Sequence, residues 1–178
     1  MAIEVTFELS DEDLDHFRKV MHQAQQSAKH LDPDVILTNA KELITNVNEN
    51  IPVFVKNRIA KLSTLIEMIE DNEWQIPEEE GKNVISALAY FSEPEDLVPD
   101  HIPALGFLDD AIMIELVASE LENEIDAFTE FCEYRHRERH RQDVDEITKE
   151  DWLDAKRREL HSRMKNRRTK RRRRSLFV

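Results

Sequence analysis

The sequence is short of residues on which several structural classes depend. Of its 178 residues, one is cysteine and two are glycine. The single cysteine, Cys132, excludes a disulfide within the chain and fits a reducing compartment. Two glycines, Gly81 and Gly106, are too few for the tight turns of a hairpin-rich sheet protein. They also exclude a phosphate loop and a dinucleotide-binding fingerprint, because both need closely spaced glycines.

Two further absences concern location. The longest apolar stretches, such as residues 84–91, are far shorter than the ~20 residues that a membrane-spanning helix needs. The first residues show no positive segment followed by an apolar one, so we expect no signal peptide. Together these observations predict a cytoplasmic protein.

What is present favours an all-α fold. Hydrophobic residues make up 40% of the chain and charged residues 35%, which suits a packed core with exposed helix faces. Apolar side chains recur at spacings of three and four, the pattern of one buried helix face. Ser10 with Asp13 as a weak capping box, and Pro33, Pro52 and Pro77, mark four helix starts. We predict a single-domain bundle of about five or six helices.

The pattern divides the chain into four segments. They are an N-terminal helical part (1–76), a helical core (77–142), a C-terminal helix (143–164) and an arginine-rich tail (165–178). In the core, a proline-rich corner precedes a long helix expected from about residue 107 to about residue 140. The C-terminal helix has few apolar positions, so we expect it to lie on the surface or to project away. Repulsion between like charges predicts that the tail is disordered when free.

Charge is sharply segregated along the chain. Residues 1–155 contain 37 acidic and 13 basic residues, which gives −24, whereas residues 156–178 contain one acidic and 12 basic residues, which gives +11. Segregation of this kind indicates a terminal segment that recognises charge. The candidate polyanion-binding residues are Arg163, Lys165, Arg167, Arg168, Lys170, Arg171, Arg172, Arg173 and Arg174.

Arginine forks contact phosphates in pairs, so RNA, and the ribosome in particular, is the simplest partner for this tail. The tail has no aromatic residues between its arginines, and sequence-specific binding is therefore not implied. Three alternatives stay open. An anionic membrane surface could bind the basic run, with Leu176, Phe177 and Val178 inserted shallowly beside it. The tail could fold back on the acidic body, or it could be a solubilising terminus without a partner.

One segment carries a family resemblance. Residues 96–111 read Asp-Leu-Val-Pro-Asp-His-Ile-Pro-Ala-Leu-Gly-Phe-Leu-Asp-Asp-Ala. This segment resembles the signature of the bacterial YkvA-like domain family, and the resemblance covers about residues 84–118. It implies a helical fold and no known biochemical function. The residues that match the signature are Asp96, Pro99, Asp100, Pro103, Gly106, Asp109 and Asp110.

The aspartates of this signature have two interpretations. In the structural one, Asp96 and Asp109 lie at helix N-termini, where carboxylates accept backbone N–H groups and complement the helix dipole. In the functional one, Asp96, Asp100, Asp109 and Asp110 converge on Mg²⁺ or Ca²⁺, which prefer oxygen ligands. We favour the structural interpretation and expect no cofactor, with a divalent cation at the aspartates as the alternative.

A second candidate metal site is weaker. Cys132, His136 and His140 are spaced by four and fall on one helix face, where a thiolate and two imidazoles could bind Zn²⁺. Alternating arginines around them oppose a divalent cation, so we interpret the segment as a solvated, mixed-charge helix end. The sequence as a whole favours a non-enzymatic interaction module. The alternatives are a metal-dependent enzyme that uses the aspartates and a peripheral membrane-surface protein.

Overall fold

Seven α-helices account for most of the described chain. The computed structural model describes residues 8–46, 52–92, 108–140 and 146–175, and in the last range it describes side chains for 150–170. Short 3₁₀ turns at Ala28–His30 and Ala89–Ser92 follow the first and fourth helices. These ranges contain no strand, so the all-α prediction is confirmed, with slightly more helices than expected. The helices are α1 Asp11–Ser27, α2 Pro33–Asn46, α3 Val53–Glu70, α4 Glu78–Leu88, α5 Leu108–Glu120, α6 Glu122–Arg139 and α7 Glu146–Ser175.

Local signals start the first four helices at or beside the predicted residues. The Ser10 hydroxyl accepts the backbone N–H of Asp13 (3.2 Å), and the Asp13 carboxylate accepts the backbone N–H of Ser10 (2.8 Å). Pro33 is the first residue of α2, as predicted. Pro52 and Pro77 lie one position earlier than expected, at the N-caps of α3 and α4. Proline is tolerated there because its missing N–H would have no partner within the helix.

The core is a single cluster with α3 at its centre. α3 packs against α2, α4, α5 and α6, and α6 packs along α7. Because neighbours surround it, α3 buries residues on more than one face. Its buried side chains are Val55, Ile59, Leu62, Leu65, Ile66 and Met68. No helix in the described ranges is both long and apolar enough to span a membrane.

The long helix predicted for residues 107–140 is two helices. The break lies at Leu121, which has φ −101° and ψ 18° and is 6% exposed. Its N–H still donates to the carbonyl of Val117 (3.0 Å), and its own carbonyl accepts from Ile125 (2.9 Å), so the turn leaves both groups satisfied. The prediction of one helix was wrong, because the helix is interrupted at Leu121. No glycine or proline marks it.

α7 differs from the prediction in both length and position. α7 continues to Ser175, past the predicted helix end at residue 164, and residues 176–178 of the predicted tail lie outside the described ranges. That the tail is disordered when free stays a prediction. Arginine and lysine favour helix, and cations at the C-terminal end offset the negative pole of the helix dipole. The helix does not project away from the bundle over its whole length. Leu160 is 0% exposed and Met164 is 1% exposed, and both belong to the hydrophobic core.

The loop between α3 and α4 connects α6 and α7 to the bundle. Trp74 in this loop is fully buried, and its ring lies 5.2 Å from Phe131, 5.8 Å from Phe128 and 4.4 Å from His161, centroid to centroid. The carboxylate of Asp71 accepts the backbone N–H of Trp74 (2.8 Å), which fixes the turn. One indole therefore touches both C-terminal helices.

Ion pairs surround this buried indole. Arg135 on α6 lies 2.7 Å from Asp71 and 2.7 Å from Glu73, and Arg139 lies 2.7 Å from Glu73. Arg157 on α7 donates to the backbone carbonyl of Glu73 (2.9 Å). The loop thus holds both helices through its side chains and its backbone.

Candidate functional site

Only part of the family signature falls in the described residues. Asp109 and Asp110 lie in the first turn of α5, are 2% and 6% exposed, and each makes a hydrogen-bonding or electrostatic interaction. Within the described ranges, no three or more His, Cys, Asp or Glu side chains are grouped so that they could hold a metal ion. The cation hypothesis for the four aspartates stays a prediction. The signature residues outside the described ranges are Asp96, Pro99, Asp100, Pro103 and Gly106.

The histidine and cysteine side chains of α6 are used in other contacts. The rings of His136 and His140 lie 4.3 Å apart, and the Nδ1–H of His140 donates to the backbone carbonyl of His136 (2.7 Å). Cys132 Sγ accepts from Arg135 (3.5 Å), and burial raises the pKa of the Cys132 thiol. A raised pKa disfavours the thiolate that binds zinc. Cys132, His136 and His140 do not form a group that could hold a metal ion.

Some basic side chains of α7 are paired with α6. Lys156 lies 2.7 Å from Glu130, and Arg163 pairs with the same carboxylate. Hydrogen bonds from Lys156 and from Arg163 lower the pKa of Glu130, and the bond to Glu130 raises the pKa of Lys156. Arg163 is one of the predicted polyanion-binding residues, and in the structure it forms this ion pair with Glu130. Its binding to a polyanion stays a prediction.

A second pair connects α7 to α4. Arg168 Nη1 lies 3.4 Å from Glu80 Oε1, and Glu80 is 5% exposed. Beside this pair lies an open cavity of about 540 Å³ between the first turn of α4 and α7. Its lining includes Lys165, Arg168 and Thr169 on α7 and Glu78 on α4. Acidic and basic side chains therefore face one another across the cavity.

The remaining described basic residues of the C-terminal half of α7 are solvent-exposed. We call residues 165–175 the cationic arm. Lys165, Arg167 and Lys170 are exposed, and none of them makes an ion pair with another described residue. Arg171–Arg174 continue the same helix. Lys165, Arg167 and Lys170 therefore present positive charge that the described part of the acidic body does not neutralise.

Sequence reasoning missed the two acidic partners of α7. Glu80 and Arg168 are 88 residues apart in the chain, and Glu130 and Arg163 are 33 apart. Neither separation in sequence matches a helical repeat, and nothing in the sequence distinguishes these two glutamates from the other acidic residues, which number 38 in all. They are identified only in the tertiary structure, where α7 packs along α6 and passes near the start of α4.

Comparison with known proteins places part of the chain in a family. Residues 84–116 match the family model described as "Protein of unknown function (DUF1232)". The chain therefore contains a DUF1232 domain, and DUF1232 is the YkvA-like family. The match runs from α4 into α5 and includes neither Glu130 nor the cationic arm. No curated protein and no solved structure matches the chain significantly.

Proposed function

We propose that this protein is a non-enzymatic interaction module that binds RNA through its cationic arm. One observation carries the proposal. Residues 160–175 of α7 contain nine basic residues and no acidic one, whereas residues 1–155 carry a net charge of −24. A cluster of charges of one sign on a body of the other sign attracts a polyanion to that cluster, and Lys165, Arg167 and Lys170 within it are exposed.

The base of the arm is fixed to the body. Leu160 and Met164 are buried, and Arg163 pairs with Glu130, immediately before the arm begins. A helix rises 1.5 Å per residue, so the basic residues from Lys165 to Arg174 span about 14 Å. Concentrated positive charge of this kind neutralises several phosphates at once and releases their counterions.

The composition of the arm indicates contacts to the RNA backbone. No aromatic residue lies between Trp152 and Phe177, so the arm has no ring on which a base could stack. Lysine and arginine side chains that contact phosphates position a nucleic acid without reading its sequence. We therefore expect binding that depends strongly on salt and weakly on RNA sequence.

Fluorescence anisotropy with a labelled RNA tests the proposal. The arm variant replaces Lys165, Arg167 and Lys170 with glutamine, which keeps helix propensity and removes three charges. If each residue contacts one single-stranded phosphate, the slope of log Kd against log salt falls by about 2. Affinity at about 0.1 M salt should fall at least about tenfold, since each lost contact to a charged group costs roughly 1 kcal/mol.

The matched control removes the same charge elsewhere. Arg18, Lys19 and Lys29 are exposed residues in and just after α1, and their replacement by glutamine changes the net charge equally. This control should bind RNA within about twofold of the wild type, a difference below about 0.5 kcal/mol. Equal loss in both variants would refute the arm's role. Preferential sedimentation with anionic vesicles over RNA would instead support the membrane alternative.

A further inference from the structure

Glu80 is a buried carboxylate whose partner belongs to the cationic arm. Charged side chains are almost never fully buried unless they are paired. Glu80 is 5% exposed, and among the described residues only Arg168 lies within ion-pair distance of it. Arg168 is also the last described residue of α7 that pairs with another helix. The pair therefore lies where the anchored part of α7 passes into the exposed part.

We propose that Glu80 is an intramolecular competitor of the polyanion. Its carboxylate occupies Arg168 and holds the first turn of the arm against α4, and a phosphate must displace it before Arg168 can contribute to binding. The predicted effect on RNA affinity rests on the proposed function, because it requires that the arm binds RNA. The restraint on the helix can be measured without RNA.

The neighbouring glutamates of α4 do not share this role. Glu78 pairs with Lys82 on its own helix (2.5 Å), and hydrogen bonding to Lys82 lowers the pKa of Glu78. Glu79 is exposed and makes no ion pair with a described residue. All three carboxylates line the cavity beside α7, and among them only Glu80 forms an ion pair with a described residue of the arm.

The cavity beside the pair gives a phosphate access to Arg168. The side chain of Arg168 is 21% exposed and that of Glu80 is 7% exposed, so the guanidinium is the more accessible partner. Lys165 and Thr169 line the same wall of the cavity of about 540 Å³. A phosphate that enters there meets Arg168 and Lys165 on the α7 side, whereas Glu78, Glu79 and Glu80 line the α4 side.

RNA binding by glutamine variants tests the competition. Glu80→Gln keeps the shape of the buried side chain and removes its charge. We expect about two- to fivefold tighter RNA binding, the range of a partly exposed ion pair, and a salt slope steeper by about 0.7 for one added phosphate contact. Glu79→Gln removes the same charge from the same cavity but releases no arginine, so it should leave the slope unchanged.

A double-mutant cycle shows whether the effect passes through Arg168. In an Arg168→Gln background, Glu80→Gln and Glu79→Gln should change RNA affinity equally, because no guanidinium is left to release. A gain with Glu80→Gln that survives in this background would overturn the competition. So would equal gains for the two glutamine variants in the wild-type background.

Hydrogen exchange without RNA tests the restraint itself. Amides of residues 165–175 should exchange about two- to fivefold faster in Glu80→Gln and in Arg168→Gln than in Glu79→Gln, since both remove the same pair. Unchanged exchange in both variants would overturn the inference. If the wild type binds no RNA, the proposed function fails. The exchange measurement then still shows whether the Glu80–Arg168 pair restrains the arm. Arg168→Gln serves if Glu80→Gln does not fold.

Discussion

Replacing Trp74 with alanine tests whether the loop between α3 and α4 fastens α6 and α7 to the bundle. The indole is 0% exposed and contacts Phe128, Phe131 and His161. An aromatic side chain of this size buries about 150–250 Å², which at about 25 cal/mol per Å² corresponds to roughly 4–6 kcal/mol. That figure is an upper bound, because the unfolded chain already buries part of this surface.

Measured truncations of buried tryptophan and phenylalanine cost about 3–5 kcal/mol, so we expect about 4 kcal/mol for Trp74→Ala. At about 2–4 °C per kcal/mol for a chain of this size, Tm should fall by about 8–16 °C. Trp74→Phe should cost much less. Phenylalanine keeps most of the volume, and the lost indole N–H makes no hydrogen bond to any described group.

Urea denaturation followed by circular dichroism measures both variants. A lower midpoint with an unchanged slope would show a loss of stability without a change in the surface exposed on unfolding. Trp74→Ala within about 1 kcal/mol of the wild type would refute the argument that this ring is a central packing contact. If Trp74→Phe lost as much stability as Trp74→Ala, the loss of buried ring volume would not be the cause.

Two further predictions concern α7 and a surface carboxylate. Leu160→Ala should lower stability by about 2–5 kcal/mol because Leu160 is fully buried, whereas the exposed neighbour Ser162→Ala should stay within about 0.5 kcal/mol in the same urea assay. Equal effects would contradict the burial of α7. Glu115 has a lowered pKa, chiefly through its hydrogen bond with Lys61. A carboxyl with a lowered folded pKa stabilises the protein above its unfolded pKa and loses this contribution as pH falls through the folded one. Glu115→Gln should therefore cost up to about 1 kcal/mol at neutral pH, since the pair is largely exposed, and the difference should vanish in acid. A constant difference in urea titrations from pH 7 to pH 2 would rule out this linkage.

Local chemistry accounts for the predictions that were correct. A capping residue such as Ser10 or a proline such as Pro33 acts on backbone groups a few residues away, so its effect can be predicted from the sequence. The spacing of apolar residues likewise predicts which helix faces are buried. The break at Leu121 could not be predicted in this way, because no glycine or proline stands beside it.

The last helix shows the limit of composition. Its few apolar positions and dense positive charge predict a surface helix with a disordered end. In the structure, Leu160 and Met164 are buried in the core and Leu153 packs against it, and arginine and lysine continue the helix to Ser175. Composition describes an average environment, whereas a helix is held by the few side chains that reach the core.

By itself, the sequence determined that this chain is helical and that its charge divides into an acidic body and a basic end. Tertiary structure decided how individual basic residues are used. Arg163 and Arg168 are paired with Glu130 and Glu80, while Lys165 is exposed beside them. The physical reason is that net charge is a property of a segment, whereas an ion pair needs two side chains brought within about 4 Å by the packing of distant helices.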